Sequence, residues 1–302
     1  MAGEVSIDGP SIDGLCIVDK PAGWTSHDVV ARVRRLAGTR RVGHAGTLDP
    51  MATGVLVLGV GRATKLLGHL ALTAKSYDAT ICLGRSTVSD DADGEVVAIS
   101  PAGHLSDDSI RAATPAYVGT IDQVPSAVSA IKVGGRRAYA RVRAGEQVVL
   151  APRAVEITRL DVVAIRRDQA VVDVDVSLDC STGTYVRAIA RDLGTALGVG
   201  GHLTALRRTR VGPFTLAGAR TLDELAALDS PVHLPLPAAV AVCFARRDVD
   251  AEEAGLVAHG RFLSPAGYGG TYGVFGPDGA VVALVQERDG VARPLVVFAP
   301  AP

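Results

Sequence analysis

Hydrophobic and polar positions change period several times along the chain, and each change marks a predicted element. Short apolar or alternating runs predict four strands, at residues 15–18, 55–58, 77–83 and 171–178. The last two runs alternate strictly, so Asp173 and Asp175 fall on the polar side of their strand. This spacing is typical of sheets that bury one face.

Three segments carry the spacing or the capping residues of helices. Apolar residues recur on one face after Thr25 or Ser26, either of which can cap the helix. Residues 184–197 have a helical pattern, and the segment from Thr221 to Glu224 is a capping box. Strands and helices mix without a regular βαβ repeat, which predicts an α+β fold with a mixed, largely antiparallel sheet.

Breaker residues divide the chain further. Residues 42–54 contain five Gly, Asp and Pro positions and predict one long loop, and residues 1–13 predict a loose leader. Prolines between residues 229 and 240 predict a linker. Short valine-rich runs after it predict a small β-barrel-like module. We therefore expect two domains, residues 1–235 and 236–302.

Composition narrows the class of protein. The 302 residues are 48% hydrophobic, which excludes a disordered chain. No apolar run approaches the roughly 18 residues of a membrane span, and the first residues lack the apolar core of a signal peptide. Four well-separated cysteines predict reduced thiols. We expect a soluble protein of the cytoplasm.

Charge is segregated although its total nearly cancels. The 31 basic and 32 acidic residues give a formal net charge of −1, which excludes a uniformly basic nucleic-acid binder. Three clusters of basic residues contain no acid. One such cluster alone is usually a solvated surface, whereas three favour a polyanion site. The clusters are Arg32, Arg34, Arg35, Arg40 and Arg41; Lys132, Arg136, Arg137, Arg141 and Arg143; and Arg207, Arg208 and Arg210.

Two familiar ligand motifs are incomplete in this chain. The segment 59–65 has Thr64 where a glycine-rich phosphate loop needs glycine. The segment 89–94 resembles a calcium loop, but Ser89 and Ser100 replace two ligands, so an acidic turn is the better interpretation. The seven histidines show no metal-ligand spacing. We expect neither a metal nor a nucleotide.

The loop at residues 43–54 contains the candidate chemistry. Asp49 precedes a proline, a common arrangement in turns. It also lies close to His44 and after an arginine cluster, where a carboxylate can act as a nucleophile on electrophilic carbon. The pattern alone leaves both interpretations open.

Seven segments, taken in order, resemble the bacterial tRNA pseudouridine synthase B family, which isomerises the T-loop uridine-55 of tRNA. The resemblance covers residues 14–215. The segments are G-L-C-I-V-D-K-P-A-G-W-T-S-H-D (14–28), G-H-A-G-T-L-D-P-M-A-T-G (43–54), K-S-Y (75–77), T-V-S-D-D-A-D-G (87–94), P-S-A-V-S-A-I-K (125–132), C-S-T-G-T-Y-V-R (180–187) and G-H-L-T-A-L-R-R (201–208).

The resemblance implies a pseudouridine-synthase fold with a central cleft, followed by an RNA-binding module of the PUA type, in the variant of actinobacterial relatives. It also implies an isomerisation that cuts the C1′–N1 bond of uridine and rejoins the base through C5. No atom is gained or lost, so no cofactor is implied. Asp49 matches the family's nucleophile, and attack on the base C6 or on the sugar C1′ stays open.

The family match also assigns residues around this aspartate. Arg187 matches the arginine that keeps the nucleophile ionised against the effect of burial. Tyr77 matches the tyrosine that stacks on the everted base and helps remove its C5 proton. Tyr185 and Leu206 match pocket walls. The pattern alone also allows simpler interpretations. Arg187 can be a snorkelling residue on an apolar helix face, and Tyr77 can be an aromatic packed in the core.

The remaining assignments concern contacts with tRNA. His44 matches a histidine that enters the T loop where bases leave, although a lone loop histidine is usually solvated. Lys20 is expected to support the active-site loop or to meet a phosphate. Expected phosphate contacts, which make binding salt-dependent, are Arg34, Arg35, Arg41, Lys132, Arg136, Arg137, Arg207 and Arg208.

We therefore expect a stand-alone, monomeric enzyme that acts on the T-arm stem-loop of tRNA without a membrane or an obligate protein partner. Three alternatives remain. One is a related synthase that acts on another RNA or under guide-RNA direction. Another is an RNA-binding module or tRNA-folding chaperone. The third, a hydrolase built on His44 and Asp49, has no supporting metal or Ser/Cys motif.

Overall fold

The computed structural model describes residues 13–129, 132–133, 136–137, 146 and 150–298. The helices are α1 (Ser26–Leu36), α2 (Leu67–Ala71), α3 (Asp107–Ala113), α4 (Val186–Ala196), α5 (Leu222–Ala226), α6 (Leu236–Cys243) and α7 (Ala251–Ala258). The strands are β1 (Gly14–Lys20), β2 (Val42–His44), β3 (Thr53–Val60), β4 (Lys75–Leu83), β5 (Arg85–Thr87), β6 (Val96–Ile99), β7 (Gly119–Gln123), β8 (Lys132–Val133), β9 (Arg136–Arg137), β10 (Arg153–Asp168), β11 (Val171–Cys180), β12 (Gly201–Val211), β13 (Phe214–Thr215), β14 (Leu234–Pro235), β15 (Ala245–Asp248), β16 (Thr271–Phe275), β17 (Val281–Arg288) and β18 (Val291–Val297).

A ten-stranded sheet organises most of the chain. Its strand order is β14-β1-β3-β12-β4-β11-β10-β7, with β2 paired to β3 and β13 paired to β12. The β3–β12 pair is parallel and the other pairs in this sheet are antiparallel. The predicted α+β fold with a mixed, largely antiparallel sheet is confirmed.

Local sequence signals explain the elements beside the sheet. Thr25 caps α1 in a capping box with Asp28, and Val29 and Val33 are buried against the sheet core. The second capping box, at Thr221, starts α5. Both predicted helix starts are confirmed, and the pattern at residues 184–197 corresponds to α4. The four predicted strands lie within β1, β3, β4 and β11.

The prediction of one loop over residues 42–54 is wrong at both ends. Residues 42–44 form β2, which pairs with β3 from Val60 to Leu58, and β3 itself begins at Thr53. Glycines do not prevent strand pairing where a neighbouring strand supplies the hydrogen bonds. The loop that carries Asp49 is therefore residues 45–52, held at each end by the sheet.

The predicted linker is also more structured than its prolines suggest. Residues 234–235 pair with β1, and Pro237 lies in the first turn of α6. Proline is tolerated there because the first helical N–H groups have no intrahelical partner. Leu236 and Val240 are buried in a core that the sheet shares with the C-terminal strands. The segment therefore packs against both the large sheet and the C-terminal strands.

The predicted small β module is confirmed as a four-stranded sheet in the order β15-β16-β17-β18, accompanied by α7. Its side chains contribute to the same core as β1 and β3, through Phe275 and Phe298 among others. Arg62 and Lys65, just after β3, donate hydrogen bonds to the carbonyls of Phe298 and Val297. The module is therefore docked on the segment that follows β3.

The four cysteines are free thiols, and three of them are buried. Within the described residues, no helix is both long enough and apolar enough to cross a membrane. The same part of the chain contains no cluster of three or more metal-ligating side chains.

Candidate active site

A pocket of about 300 Å³ opens where the 45–52 loop, β4, β12 and the start of α4 meet. Its walls include the five residues that the family resemblance places around the nucleophile: Asp49, Tyr77, Tyr185, Arg187 and Leu206. Lys75 and Arg208 also line it, together with residues 46–48, 71, 181–184 and 186. The fold thus brings one loop, two strands and one helix together around a single aspartate.

Asp49 and Arg187 form a paired contact across the pocket floor. One Nη of Arg187 lies 3.1 Å from Asp49 Oδ1, and its Nε lies 3.1 Å from Oδ2. The guanidinium side chain is 6% exposed, whereas the carboxylate side chain is 32% exposed. Such a two-point contact fixes the carboxylate plane as well as its position. One edge of Asp49 remains open to the pocket.

Arg187 is held from behind by the acidic turn after β5. Its Nη1 donates to the carbonyl of Ser89 at 2.9 Å and lies 3.1 Å from Oδ2 of Asp91. The Ser89 hydroxyl and the backbone N–H of Asp93 donate to the other oxygen of Asp91, at 2.5 and 3.2 Å. Asp91 was missed as a site residue, because residues 89–94 were interpreted from the sequence only as an acidic turn.

Burial and charge oppose each other at Asp49. Burial raises the pKa of its carboxyl above the ordinary aspartate value, and the Arg187 guanidinium opposes that rise. The carboxylates of Asp91 and Asp93 raise the pKa further, whereas the Lys20 ammonium lowers it. Arg187 is the largest of the influences that favour the ionised form.

Arg208 fixes the loop on the N-terminal side of Asp49. It is 1% exposed, and its guanidinium donates to the carbonyls of Gly46, Thr47 and Val55 at 3.2, 3.3 and 2.7 Å. The sequence analysis expects Arg208 at a tRNA phosphate. Its guanidinium is bonded to backbone carbonyls and lines only the pocket, so a contact with a tRNA phosphate would have to be made inside the pocket.

Lys20 fixes the loop on the other side. Its buried ammonium donates to the carbonyls of Pro21, Trp24 and Pro50 at 3.0, 2.6 and 3.2 Å. Burial lowers its pKa to about 8. Lys20 is expected either to support the active-site loop or to meet a phosphate, and these contacts fit support of the loop. Lys20 is not among the residues that line the pocket.

Aromatic and aliphatic side chains complete the pocket. Tyr77 lies on β4, opposite Arg208 of β12, and burial raises the pKa of its hydroxyl. The backbone N–H and carbonyl of Tyr185, the N-cap residue of α4, are both bonded to the side chain of Gln123. Leu206, on β12, also lines the pocket. Two aromatic rings and a leucine thus give the pocket apolar walls.

His44 lies on β2, outside the pocket wall, and faces His27 of α1 edge to face with ring centroids 5.8 Å apart. Burial lowers the pKa of His44, and the nearby His27 and Arg208 lower it further. The imidazole is therefore biased towards its neutral form, which has both a donor and an acceptor nitrogen.

The other expected phosphate contacts fall into three groups. Arg34, Arg35 and Arg41 are exposed. Arg207 is partly exposed, but its guanidinium pairs with both carboxylate oxygens of Asp19 at 2.7 and 3.1 Å. The side chains of the third group, Lys132, Arg136 and Arg137, lie outside the described residues, and only their backbone is assigned, to β8 and β9.

Known protein families match most of the chain. The model "TruB family pseudouridylate synthase (N terminal domain)" matches residues 34–186. The chain is also 60% identical over 291 residues to the tRNA pseudouridine synthase B of Thermobifida fusca (95% of this chain, 99% of the relative). The chain belongs to the TruB pseudouridylate synthase family. It is therefore an enzyme, and the resemblance found in its sequence is confirmed.

A second relative and two further family models extend the match to the C-terminal part of this TruB-family chain. The tRNA pseudouridine synthase B of Rhodococcus jostii is 61% identical over 289 residues (95% of this chain, 94% of the relative). Models for the "tRNA pseudouridylate synthase B C-terminal domain" and for "tRNA Pseudouridine synthase II, C terminal" match residues 187–231 and 244–299. These matches extend the family assignment past the 14–215 segment in which the sequence resemblance was first found.

Solved structures agree on the fold. A Cbf5-Nop10-Gar1 complex contains a chain with a TM-score of 0.72 and 24% identity (95% of this chain, 85% of that chain). An archaeal box H/ACA sRNP Nop10-Cbf5 complex gives a TM-score of 0.70 at 25% identity (98% and 89%). The predicted pseudouridine-synthase fold is confirmed.

Proposed function

We propose that this enzyme converts uridine-55 in the T loop of tRNA to pseudouridine. The pocket that contains Asp49 supports the proposal, because it combines one accessible carboxylate with apolar and aromatic walls. The curated relatives, named tRNA pseudouridine synthase B, match nearly the whole chain at about 60% identity and support tRNA as the substrate.

The proposed chemistry requires the uridine to leave its stack. The base enters the pocket between Tyr77, Tyr185 and Leu206, which replace the stacking that it loses. Asp49 acts as the nucleophile. The C1′–N1 bond breaks, the C1′–C5 bond forms, the proton on C5 is lost and N1 gains one, so no atom or electron is exchanged overall. Attack at the base C6 and attack at the sugar C1′ both fit this arrangement.

Arg187 has the proposed role of keeping the nucleophile ionised and aimed. Its contacts with Asp49 and Asp91 place one guanidinium between two carboxylates, a geometry that a merely snorkelling arginine does not need. Tyr77, buried beside Asp49, is proposed to stack on the base and to help remove the C5 proton.

Contacts with tRNA outside the pocket form the second part of the proposal. We assign His44 to the T loop and the exposed Arg34, Arg35 and Arg41 to phosphates. Residues 236–302 are proposed as a separate RNA-binding module, and residues 1–235 as the catalytic domain. The enzyme is proposed to work in the cytoplasm as a monomer without an obligate protein partner.

The paired contact of Asp49 with Arg187 at the pocket floor is the observation that carries the proposal. Its test is the release of tritium from C5 of uridine in a T-arm stem-loop RNA, with purified protein, EDTA and no cofactor. Release by the wild type, and none by Asp49→Ala, is the expected result. A stem-loop with cytidine in place of the target uridine should release nothing.

Other outcomes would select the alternatives. Release only after a guide RNA is added would point to a guided synthase, which the fold alone permits. No release from the stem-loop or from whole unmodified tRNA, together with tight binding and refolding of tRNA, would instead leave a binding or chaperone role. An Asp49→Ala protein that still refolds tRNA would show that such a role exists beside catalysis.

The exposed arginines give a prediction about binding. Changing Arg34, Arg35 and Arg41 together to glutamine should weaken tRNA binding and flatten its dependence on salt, by up to about one unit of slope for each phosphate that the variant no longer neutralises. Filter binding at several salt concentrations measures this. Arg111→Gln, at an exposed arginine of α3, is the control and should leave the slope unchanged. An unchanged slope in the triple variant would remove this cluster from the interface.

A further inference from the structure

Lys75 lines the active-site pocket, and the proposed isomerisation gives it no role. It begins β4, two residues before Tyr77, and is 6% exposed. Its Nζ donates to the carbonyls of Ala71 and Thr73 at 3.0 and 2.7 Å. An ammonium group has three N–H donors, so two backbone contacts leave one for a ligand in the pocket.

Arg208 lies on the same wall as Lys75. A Cβ atom built on Gly46 would lie 3.7 Å from Cε of Lys75 and 3.8 Å from Nη1 of Arg208, so both cations converge on one glycine. Burial lowers the pKa of Lys75 to about 8, and repulsion from Arg208 adds to this effect. Two like charges thus face the pocket across a position that has no side chain.

Neither cation has an acidic partner in the part of the chain that the structure describes. Among the described residues, no carboxylate forms an ion pair with Lys75 or Arg208, and both side chains donate to backbone carbonyls instead. Arg187 differs, because it lies between Asp49 and Asp91. A buried cation without a counter-charge is costly, and an anion in the pocket would offset that cost.

The backbone that holds Lys75 is itself fixed. The carbonyl of Ala71 accepts a second hydrogen bond, from the Thr182 hydroxyl at 2.9 Å, which links the two walls of the pocket. Thr73 packs against Gly212 at the end of β12, where a Cβ would come within 3.1 Å of its hydroxyl. The ammonium therefore lies at a defined position before substrate enters, as a binding group should.

We propose that Lys75 binds a phosphodiester group that flanks the target uridine, with Arg208 strengthening the positive field behind it. The inference rests on the proposed function, because the phosphodiesters are the anionic groups that accompany a uridine into the pocket. It makes Lys75 a substrate-binding residue that holds the everted nucleotide by its backbone while the walls contact the base.

A cycle of enzyme and RNA changes tests this contact. The stem-loop carries a neutral methylphosphonate at the 5′ or the 3′ linkage of the target uridine, and the enzyme is wild type or Lys75→Gln. Glutamine retains hydrogen-bond donors for the two carbonyls but removes the charge. For the wild type, one of the two methylphosphonates should lower kcat/KM by roughly 10- to 100-fold, the range of a charge-assisted hydrogen bond.

For Lys75→Gln, the decrease in kcat/KM on natural RNA should be of similar size, and the same methylphosphonate should cause little further decrease. Decreases that multiply at both linkages would overturn the proposal, because they would show that Lys75 and each phosphate act independently. Lys75→Arg, which keeps the charge, should recover part of the activity. A methylphosphonate in the distal stem is the control for RNA folding.

The same experiment separates this inference from the proposed function. Wild-type enzyme on the unmodified stem-loop reports whether the target uridine is converted at all. Conversion with multiplicative decreases would reject only the phosphate contact, whereas no conversion would reject the proposed function itself. Thermal unfolding of Lys75→Gln completes the set: a fold as stable as the wild type would assign the reduced activity to the pocket.

Discussion

Replacing Asp49 with asparagine is expected to lower pseudouridine formation by roughly 10⁴-fold or more, while tRNA affinity changes by no more than a few-fold. Asparagine has nearly the same shape as aspartate and retains an acceptor oxygen for Arg187, but its amide is a very poor nucleophile. The carboxylate contacts Arg187 inside the pocket, and the exposed arginines lie elsewhere, so binding of the T arm should survive.

Stability should not fall with this change. Burial raises the pKa of Asp49, so the ionised carboxylate costs folding free energy at pH values above that raised pKa, and the cost disappears as the pH falls through it. A neutral asparagine avoids this cost, although it weakens the contact with Arg187. Single-turnover tritium release, filter binding and thermal unfolding together measure the three quantities.

Asp108→Asn is the control for this prediction, since it neutralises an exposed carboxylate in the first turn of α3. It should leave turnover, binding and stability near wild-type values. Equal decreases of turnover and tRNA affinity in Asp49→Asn would instead show that Asp49 shapes the loop rather than reacting with the substrate.

The sequence predicted the parts of the fold that depend on neighbouring residues. Alternation between Tyr77 and Leu83 predicts a strand with one buried face, and that face is where Tyr77 and Ile81 are buried. A capping box needs only four residues, so Thr221 could be recognised without knowledge of the fold. Proline at the start of α6 was misinterpreted because its effect depends on the position within a helix, which the surrounding sequence did not reveal.

The site depends on contacts between distant parts of the chain. Arg187 lies 138 residues from Asp49, and no local pattern indicates that α4 and the loop meet. The family resemblance supplied that pair. The role of Asp91 as the second carboxylate on Arg187 came only from the structure, since an acidic turn has the same sequence whether it faces solvent or a guanidinium.

Adjacent arginines on β12 show the same limit. Arg207 and Arg208 are the same residue type and belong to the same basic cluster, so the sequence does not distinguish them. Successive side chains of a strand, however, point to opposite faces. Arg207 reaches Asp19 at the surface, whereas Arg208 is enclosed and supports the loop that carries Asp49. A count of local positive charge therefore overestimates the number of arginines available to RNA, because some of them hold backbone carbonyls.

Replacing Arg187 with methionine is expected to lower both turnover and stability. The change leaves Asp49 and the buried Asp91 without their shared cation, and removal of one partner from a buried ion pair typically costs about 3–5 kcal/mol of folding free energy. It also removes the influence that most lowers the pKa of Asp49, so that pKa should rise further. The acid limb of the pH–rate profile should therefore move to higher pH.

A double variant separates the structural effect from the catalytic one. Adding Asp91→Asn to Arg187→Met removes the stranded second carboxylate, so stability should recover in large part, as measured by urea unfolding. Turnover should stay low. The acid limb should move only part of the way back, because loss of the Asp91 carboxylate lowers the pKa of Asp49 while the larger influence of the Arg187 guanidinium is still absent. A double variant that regains both stability and the wild-type pH profile would show that Arg187 only holds the fold together, and that Asp49 is kept ionised by other charges such as Lys20.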